Sequence, residues 1–349
     1  MATSAQRRIK SVSYARYGYF FTAPFFIVYF IFMLWPLLQT FILAFHGNGV
    51  PEKISTPTTI NDFVGLENFK TILFGGANFK AKGIHTDFIN CCKNTVLVWV
   101  GNFIPQICLS LLLAVWFTDL RVKMPGKGFF KVVMYLPNVI TAASVAGLFL
   151  SLFGDSQFSV ANLFLINNGF RDEAYQFVSR EWSSRILVMF IQVWMWFGNT
   201  MIMLMSGIQG INESLFEAAE IDGANSRQTF WKITFPLLKS IMVYTLLTSM
   251  IGGLQMFDIP YMLHTGSQIN DYIKTVAVFI FEKFHKDYMN PSYGYSAAAS
   301  VILFVITSIL GALVFYVQRD KDAIEIKKKR KQAAKDAKKR AAMGGGFGL

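Results

Sequence analysis

The sequence predicts an all-α integral membrane fold of six transmembrane helices, and three observations predict it. The 349 residues are 53% hydrophobic and only 15% charged, where a soluble domain carries about 25% charged residues. The deficit is concentrated. Residues 17–45, 94–118, 132–154, 186–212, 240–257 and 288–318 contain no Asp, Glu, Lys or Arg. Each run approaches or exceeds the roughly 20 residues that cross a bilayer. The charges between the runs are also unevenly distributed. With both termini on the inner side, the inner segments hold 22 basic and nine acidic residues, and the outer segments hold 11 and 12. Net charges of +13 inside and −1 outside follow the positive-inside rule, and the reverse orientation would carry a Lys-rich tail outward. The basic balance is thus a membrane signature and does not point to nucleic acid.

The elements follow in order. Residues 1–16 form a basic arm with Arg7, Arg8, Lys10 and Arg16. The apolar run behind them is too long for a removable signal peptide, so span 1 is expected to stay as an anchor. Pro24 and Pro36 are expected to kink it. The next outer segment reads NDFVGLENFKTIL at 61–73, where Asn61 or Asp62 suits the N-cap of a short helix. Span 2 leads into an inner loop, 119–131, with a turn at Pro125-Gly126 and basic anchors. Span 3 carries Ala142, Ala143, Ser144, Ala146 and Gly147, small enough for close helix packing. A polar outer segment at 154–184 precedes span 4. Span 5, the polar segment 258–287 and span 6 follow, and a Lys/Ala-rich tail is expected to be solvated or to lie on lipid. Cys91 and Cys92 read as two thiols rather than a strained disulfide. His46, His85, His264 and His285 are scattered without metal-ligand spacing. Neither a metal site nor a catalytic cluster is expected.

Between spans 4 and 5, residues 217–238 read EAAEIDGANSRQTFWKITFPLL. Residues 212–221 suit a short helix with Ile211, Leu215 and Ala218 on one face and Glu213, Glu217 and Glu220 on the other. Gly223 can turn the chain at φ > 0. Asn225 or Ser226 can cap a second helix, and Pro236 suits the first turn of a third. Spacing alone also fits an amphipathic connector lying on the membrane.

This stretch resembles the EAA loop of the membrane subunits of bacterial ABC importers. Glu217, Ala218 and Ala219 open the pattern, Asp222, Gly223 and Ala224 form its centre, and Phe230, Ile233, Pro236 and Leu238 close it. Span 1, residues 61–73, YLPNVITAASVAGLFLSLF from Tyr135, LQMFDIPYMLHTG from Leu254 and YGYSAAASVILFVI at 293–306 resemble the sugar-uptake branch of that superfamily. The resemblance implies a type I importer-like permease domain at 17–319, with a cytoplasmic arm at 1–16, a coupling loop at 212–238 and a cytoplasmic tail at 320–349. It implies a bacterial inner (plasma) membrane location with both termini cytoplasmic. It further implies a second homologous permease as heterodimer partner, two ABC ATPase subunits and an extracellular solute-binding protein, besides membrane lipids. Glu217, Ala218, Ala219, Asp222, Gly223 and Ala224 would carry the ATPase contact. The sequence has no G-x-x-x-x-G-K-[ST] phosphate cradle. ATP and Mg²⁺ are therefore expected on the partner ATPase, with no cofactor and no enzyme activity on this chain.

A solute path through apolar helices needs polar groups that would be costly facing lipid. No span core carries Asp, Glu, Lys or Arg, which disfavours an ion-coupled carrier and, more weakly, a charged solute. Asn138, Gln192, Trp194, Trp196, Asn199, Gln255, Phe257 and Tyr261 remain. Amides suit hydroxyls and aromatic faces suit the C–H faces of a sugar ring, although each of these side chains also suits an ordinary helix–helix contact. Asn199, Gln255, Phe257 and Tyr261 are the chosen path residues. Gly252-Gly253 is expected to thin span 5, and Asp258 and Pro260 to end it. The sequence thus reads as an importer permease passing a sugar or oligosaccharide by alternating access. The other readings are an importer of glycerol phosphate or a polyol, an ion-coupled carrier, and a membrane enzyme or scaffold.

Overall fold

A computed structural model describes residues 15–47, 62–119, 125–263, 270–285, 292–318 and 332–333. The arm up to residue 14, the Asn61 cap, His264 and the tail at 320–349, apart from 332–333, lie outside them. In chain order the helices are α1 (Ala15–Tyr29), α2 (Trp35–Ala44), α3 (Glu67–Phe74), α4 (Phe79–Thr118), α5 (Lys127–Tyr135), α6 (Ala142–Phe153), α7 (Val160–Asn167), α8 (Glu181–Gln209), α9 (Glu213–Ile221), α10 (Ser226–Thr229), α11 (Phe235–Leu237), α12 (Lys239–Leu254), α13 (Asp258–Met262), α14 (Val276–His285) and α15 (Tyr293–Gln318).

Among the described residues, five helical stretches are long and apolar enough to cross a membrane: Tyr17–Ala44, Ala81–Thr118, Glu181–Gln209, Lys239–Met262 and Tyr293–Tyr316. The expected span 3 is not one straight helix. Lys127–Val139 and Ala142–Phe153 meet at 94°, and they make a sixth span only as a bent pair. Local chemistry explains the bend. Pro137 sits in a tight 3₁₀ turn, Leu136–Val139, and lacks the N–H that would continue α5. Ile140 and Thr141 are then extended, with ψ 137° and 144°. Thr141 Oγ1 starts a new helix by accepting from Ser144 N at 3.4 Å. Of the small residues on α6, Ala146 is buried, while Ala143, Ser144 and Gly147 are exposed.

Pro36 acts differently. A π-turn, Phe30–Leu34, precedes it, and Trp35 N–H donates to the Phe30 carbonyl, five residues back. The wider turn makes room for the proline ring, which would otherwise strike the carbonyl four residues earlier. The same device recurs before Pro236, where Phe230–Thr234 is a π-turn and Phe235 N–H reaches Phe230 O.

The described residues form two compact units, one from 1–92 and 275–304, the other from 93–274 and 305–349. In the first, Ile72, Phe88, Phe279 and Ala297–Ala299 make the core. Asp62 does not cap α3. Its carbonyl accepts from Gly47 N at 2.6 Å in a short pairing around His46 and Phe63, and α3 begins five residues later with Leu66 at the cap. Asn68, 3% exposed, donates to Ala44 O and His46 O at 3.0 Å each, which holds α3 against the end of α2.

The second unit has two apolar cores. Val98, Val188, Ile191 and Ile259 anchor one; Ala114, Met201, Leu204 and Leu238 anchor the other. Gly198 lets α8 lie directly on the end of α5, where a Cβ would stand 2.1 Å from Met134 O. Asn162 is fully buried. Its amide donates to Gly154 O, Ser156 O and Tyr175 O and accepts from Tyr175 N at 2.8 Å. One side chain thereby fixes the polar segment between α6 and α8.

Candidate functional site

A cavity of about 390 Å³ opens within the second unit among α4, α8 and α12. Its lining follows helical spacing. Trp99, Asn102 and Gln106 come from α4, Gln192, Trp196 and Asn199 from α8, and Tyr244, Thr248 and Ser249 from α12. Asn199, Gln255 and Phe257, three of the four chosen path residues, share its lining with Gln192 and Trp196. Tyr261 does not line the cavity. Its ring stacks on Phe257 at 4.9 Å and 17°, so it backs the residue that does. Asn138 is also off the lining, and Trp194 packs edge-on against Phe149 at 5.7 Å. The end of span 5 also differs from expectation. Helix α12 stops at Leu254, and Asp258 opens a further helix, α13, with Pro260 inside it.

The polar lining is held in place. Gln106 Nε2 donates to Thr200 Oγ1 at 2.8 Å, Asn102 Nδ2 to Val98 O at 2.9 Å, and Trp99 Nε1 to Ser249 Oγ at 3.3 Å. Trp99 lies flush on Gly253, where a Cβ would meet its indole at 2.1 Å. Gln192 is 8% exposed, lines the cavity and has no hydrogen-bond partner among the described residues. Its amide is open to the cavity, since the sealed, unpaired side-chain polar atom among the described residues is Ser159 Oγ. Asp258 is the one charged side chain in the lining. Sequence reasoning missed Trp99, Asn102, Gln106, Thr200, Thr248 and Ser249. The i, i+3, i+7 stripe Trp99, Asn102 and Gln106 on α4, and Tyr244, Thr245 and Thr248 at i, i+1, i+4 on α12, are the signal that could have found the cavity wall.

The loop after α8 is built from local caps and one glycine turn. Asn212 Oδ1 accepts from Ser214 N at 3.1 Å and starts α9. Gly223, at φ 74°, ends it. Ala224 N donates to Ala219 O at 2.8 Å and Gly223 N to Glu220 O at 3.0 Å, the paired bonds of a glycine-terminated helix. Asn225 and Gln228 then cap α10 reciprocally, at 2.8 and 2.9 Å. The inward face is one residue away from expectation. Phe216 and Ala219 turn inward, Leu215 and Ala218 face out, and Ile221 is 87% exposed. Ile211 lies before α9 and is not part of its face. Of the expected contact residues, Glu217, Ala218, Asp222 and Gly223 are exposed and Ala224 is half-buried. Ala219, 8% exposed, is a packing residue instead.

Residues 95–322 match the family described as "Binding-protein-dependent transport system inner membrane component". The arabinooligosaccharides transport system permease protein AraP of Bacillus subtilis is 29% identical over 296 residues, 84% of this chain and 86% of that one. The lactose transport system permease protein LacF of Rhizobium radiobacter is 28% identical over 324 residues, 92% of this chain and all of that one. Among solved structures, a chain of a bacterial ABC transporter involved in the import of the acidic polysaccharide alginate superposes with a TM-score of 0.71 at 21% identity. It covers 87% of this chain and 96% of that one. At that identity the likeness is one of fold.

Proposed function

The chain belongs to the family of binding-protein-dependent transport system inner membrane components, and from that premise we propose that it is the permease subunit of an ABC importer passing a neutral sugar or oligosaccharide. The observation that carries the solute class is the cavity. Amides, hydroxyls and indoles line it, the groups that bind sugar hydroxyls and ring faces. Among the described residues its lining offers no cation to a phosphate and one carboxylate, Asp258, which disfavours glycerol phosphate. Transport would proceed by alternating access, a population shift between states open to either side. A second permease would complete the path. Two ATPases would dock at the α9 loop and hold ATP and Mg²⁺, and a solute-binding protein would deliver the sugar.

Uptake into proteoliposomes holding the assembled complex tests this reading. Gln192→Ala and Gln255→Ala are each expected to lower uptake about tenfold, the scale of one lost buried hydrogen bond, without loss of assembly. Unchanged uptake in both would move the path off this cavity, and uptake by the chain without any ATPase would replace the reading by an ion-coupled carrier.

The same proposal sets the orientation, with α9 cytoplasmic and the segment between α6 and α8 outside. On a cysteine-free background, a cysteine at exposed Gln176 is expected to react with an impermeant maleimide in intact cells, and one at Gly126 is not. Labelling of Gly126 from outside would invert or break the six-span topology.

A further inference from the structure

Asp258 lines the α4–α8–α12 cavity, and nothing around it answers its charge. Its side chain is exposed, and its carboxylate makes no hydrogen bond or ion pair among the described residues. The helices that form the site are poor in cations. Helix α13, which Asp258 opens, packs on α6 and α8. Helix α6 has no charged residue, and α8 has two, Glu181 and Arg185. Arg185 is already committed, donating to Glu181, to Asn94 Oδ1 at 2.9 Å and to Tyr272 O at 3.1 Å. The first lining residue on α8, Gln192, lies about 10 Å further along the axis. Helix α4 carries no charge from Asn94 to its end. The only charge on α12 is Lys239, its first residue, about 20 Å along the helix from Gly252.

The described wall therefore carries one negative charge and no positive one. Its neutral part points the same way. Trp99, Trp196, Tyr244 and Phe257 also line the cavity, and the faces of aromatic rings are negative. Among apolar helices such a field is screened less than at an open surface.

We propose that Asp258 is a charge filter in the solute path, excluding sugars that carry a carboxylate or phosphate and admitting neutral and cationic ones, amino sugars among them. A hydroxyl or an ammonium group donates to the carboxylate, whereas a second anion meets it with like charge. For unit charges about 5 Å away in a partly buried site, attraction and repulsion differ by roughly tenfold or more in occupancy. Such a filter presupposes the sugar-permease reading above, with this cavity as the solute path.

Charged thiol reagents test the filter whatever the sugar is. Gly252 lines the cavity, and a Cβ there meets no atom within 4 Å, so Gly252→Cys sets a thiol in the cavity without crowding. On a cysteine-free background, the detergent-solubilised complex is treated with three methanethiosulfonates of similar size. One carries a trimethylammonium group, one a sulfonate and one a neutral hydroxyl. Modification is followed as the mass gain of this chain, and each rate is divided by that of the same reagent with mercaptoethanol. All three meet the same thiol, so the cation-to-anion ratio reports the field and not the thiol's own reactivity. That ratio is expected to be about tenfold above unity, the scale of one nearby charge. It should persist in Asp258→Glu and fall to near unity in Asp258→Asn, with the neutral reagent reacting alike in all three chains. A ratio near unity with Asp258 in place, or a raised ratio that survives Asp258→Asn, overturns the filter and leaves the cavity as the solute path. Failure of the neutral reagent to react at all overturns both, since a cavity closed to so small a molecule passes no sugar.

Discussion

Gly223→Val and Glu217→Lys are expected to leave the chain in the membrane while severing it from its ATPase. Gly223 sits at φ 74°, where a side chain costs roughly 1–2 kcal/mol and a β-branched one is an outlier. A Cβ there would meet no atom of this chain, so the damage is confined to the turn and to whatever docks on it. Relaxing the turn breaks the Ala224–Ala219 and Gly223–Glu220 bonds and frays the end of α9, which presents Ile221 and Asp222. Glu217→Lys leaves the turn alone and reverses a charge on the exposed face. We expect each variant to lose co-purification of the ATPase, or at least tenfold of the ATP hydrolysis stimulated by the solute-binding protein. That loss corresponds to one or two broken charge-assisted bonds. Gly223→Ala should be milder. Both readouts at wild-type level in both variants would remove the loop from the coupling role.

Gly253→Val is expected to block the path with the docking surface intact. Its Cβ would stand 2.1 Å from Trp99 Cδ1 and 2.6 Å from Cγ, so the indole must leave. Overpacking of this kind costs about 1–3 kcal/mol. The displaced ring gives up its bond to Ser249 and turns into the cavity it now lines. Uptake should fall at least tenfold, while ATPase co-purification stays normal. Trp99→Ala on the same chain removes the clash and should restore part of the uptake. Normal uptake by Gly253→Val would mean that solute does not pass Trp99. Failure of Trp99→Ala to recover any would mean that the glycine serves α12 itself.

The extent of the apolar helices was legible because crossing a bilayer is a matter of length and charge, both written in one dimension. The α9 loop was legible because caps and glycine turns are local: Asn212, Gly223, Asn225 and Pro236 each occupy the expected place. The 94° break in span 3 was not, because a hydropathy window adds residues without asking which way the axis points. Pro137 and the Thr141 cap were visible, but nothing in the apolar run gave them priority. The cavity was half legible. Asn199, Gln255 and Phe257 stood out as polar or aromatic residues near a helix end. Asn102 and Gln106 lie deep in a charge-free run, and only the approach of α8 to α4 gives Gln106 its partner Thr200. Tyr261 shows the reverse error, since proximity to Phe257 in sequence put it behind the wall rather than on it.

From Ser226 to Leu254 the chain never leaves a helical path. The π-turn at Phe230–Thr234 and the bonds Leu238 N to Thr234 O and Met242 N to Leu238 O carry the ladder across Pro236. No slack segment lies between the loop at Gly223 and the wall at Gly253. Two departures from α-helical geometry lie on the route, the π-turn and Leu238 at ψ −6°. Adding or deleting a single residue there would rotate everything beyond it by about 100°, swinging Thr248, Ser249 and Gly253 out of the cavity. Whatever side chains this stretch carries, its residue count is fixed like the tooth count of a gear.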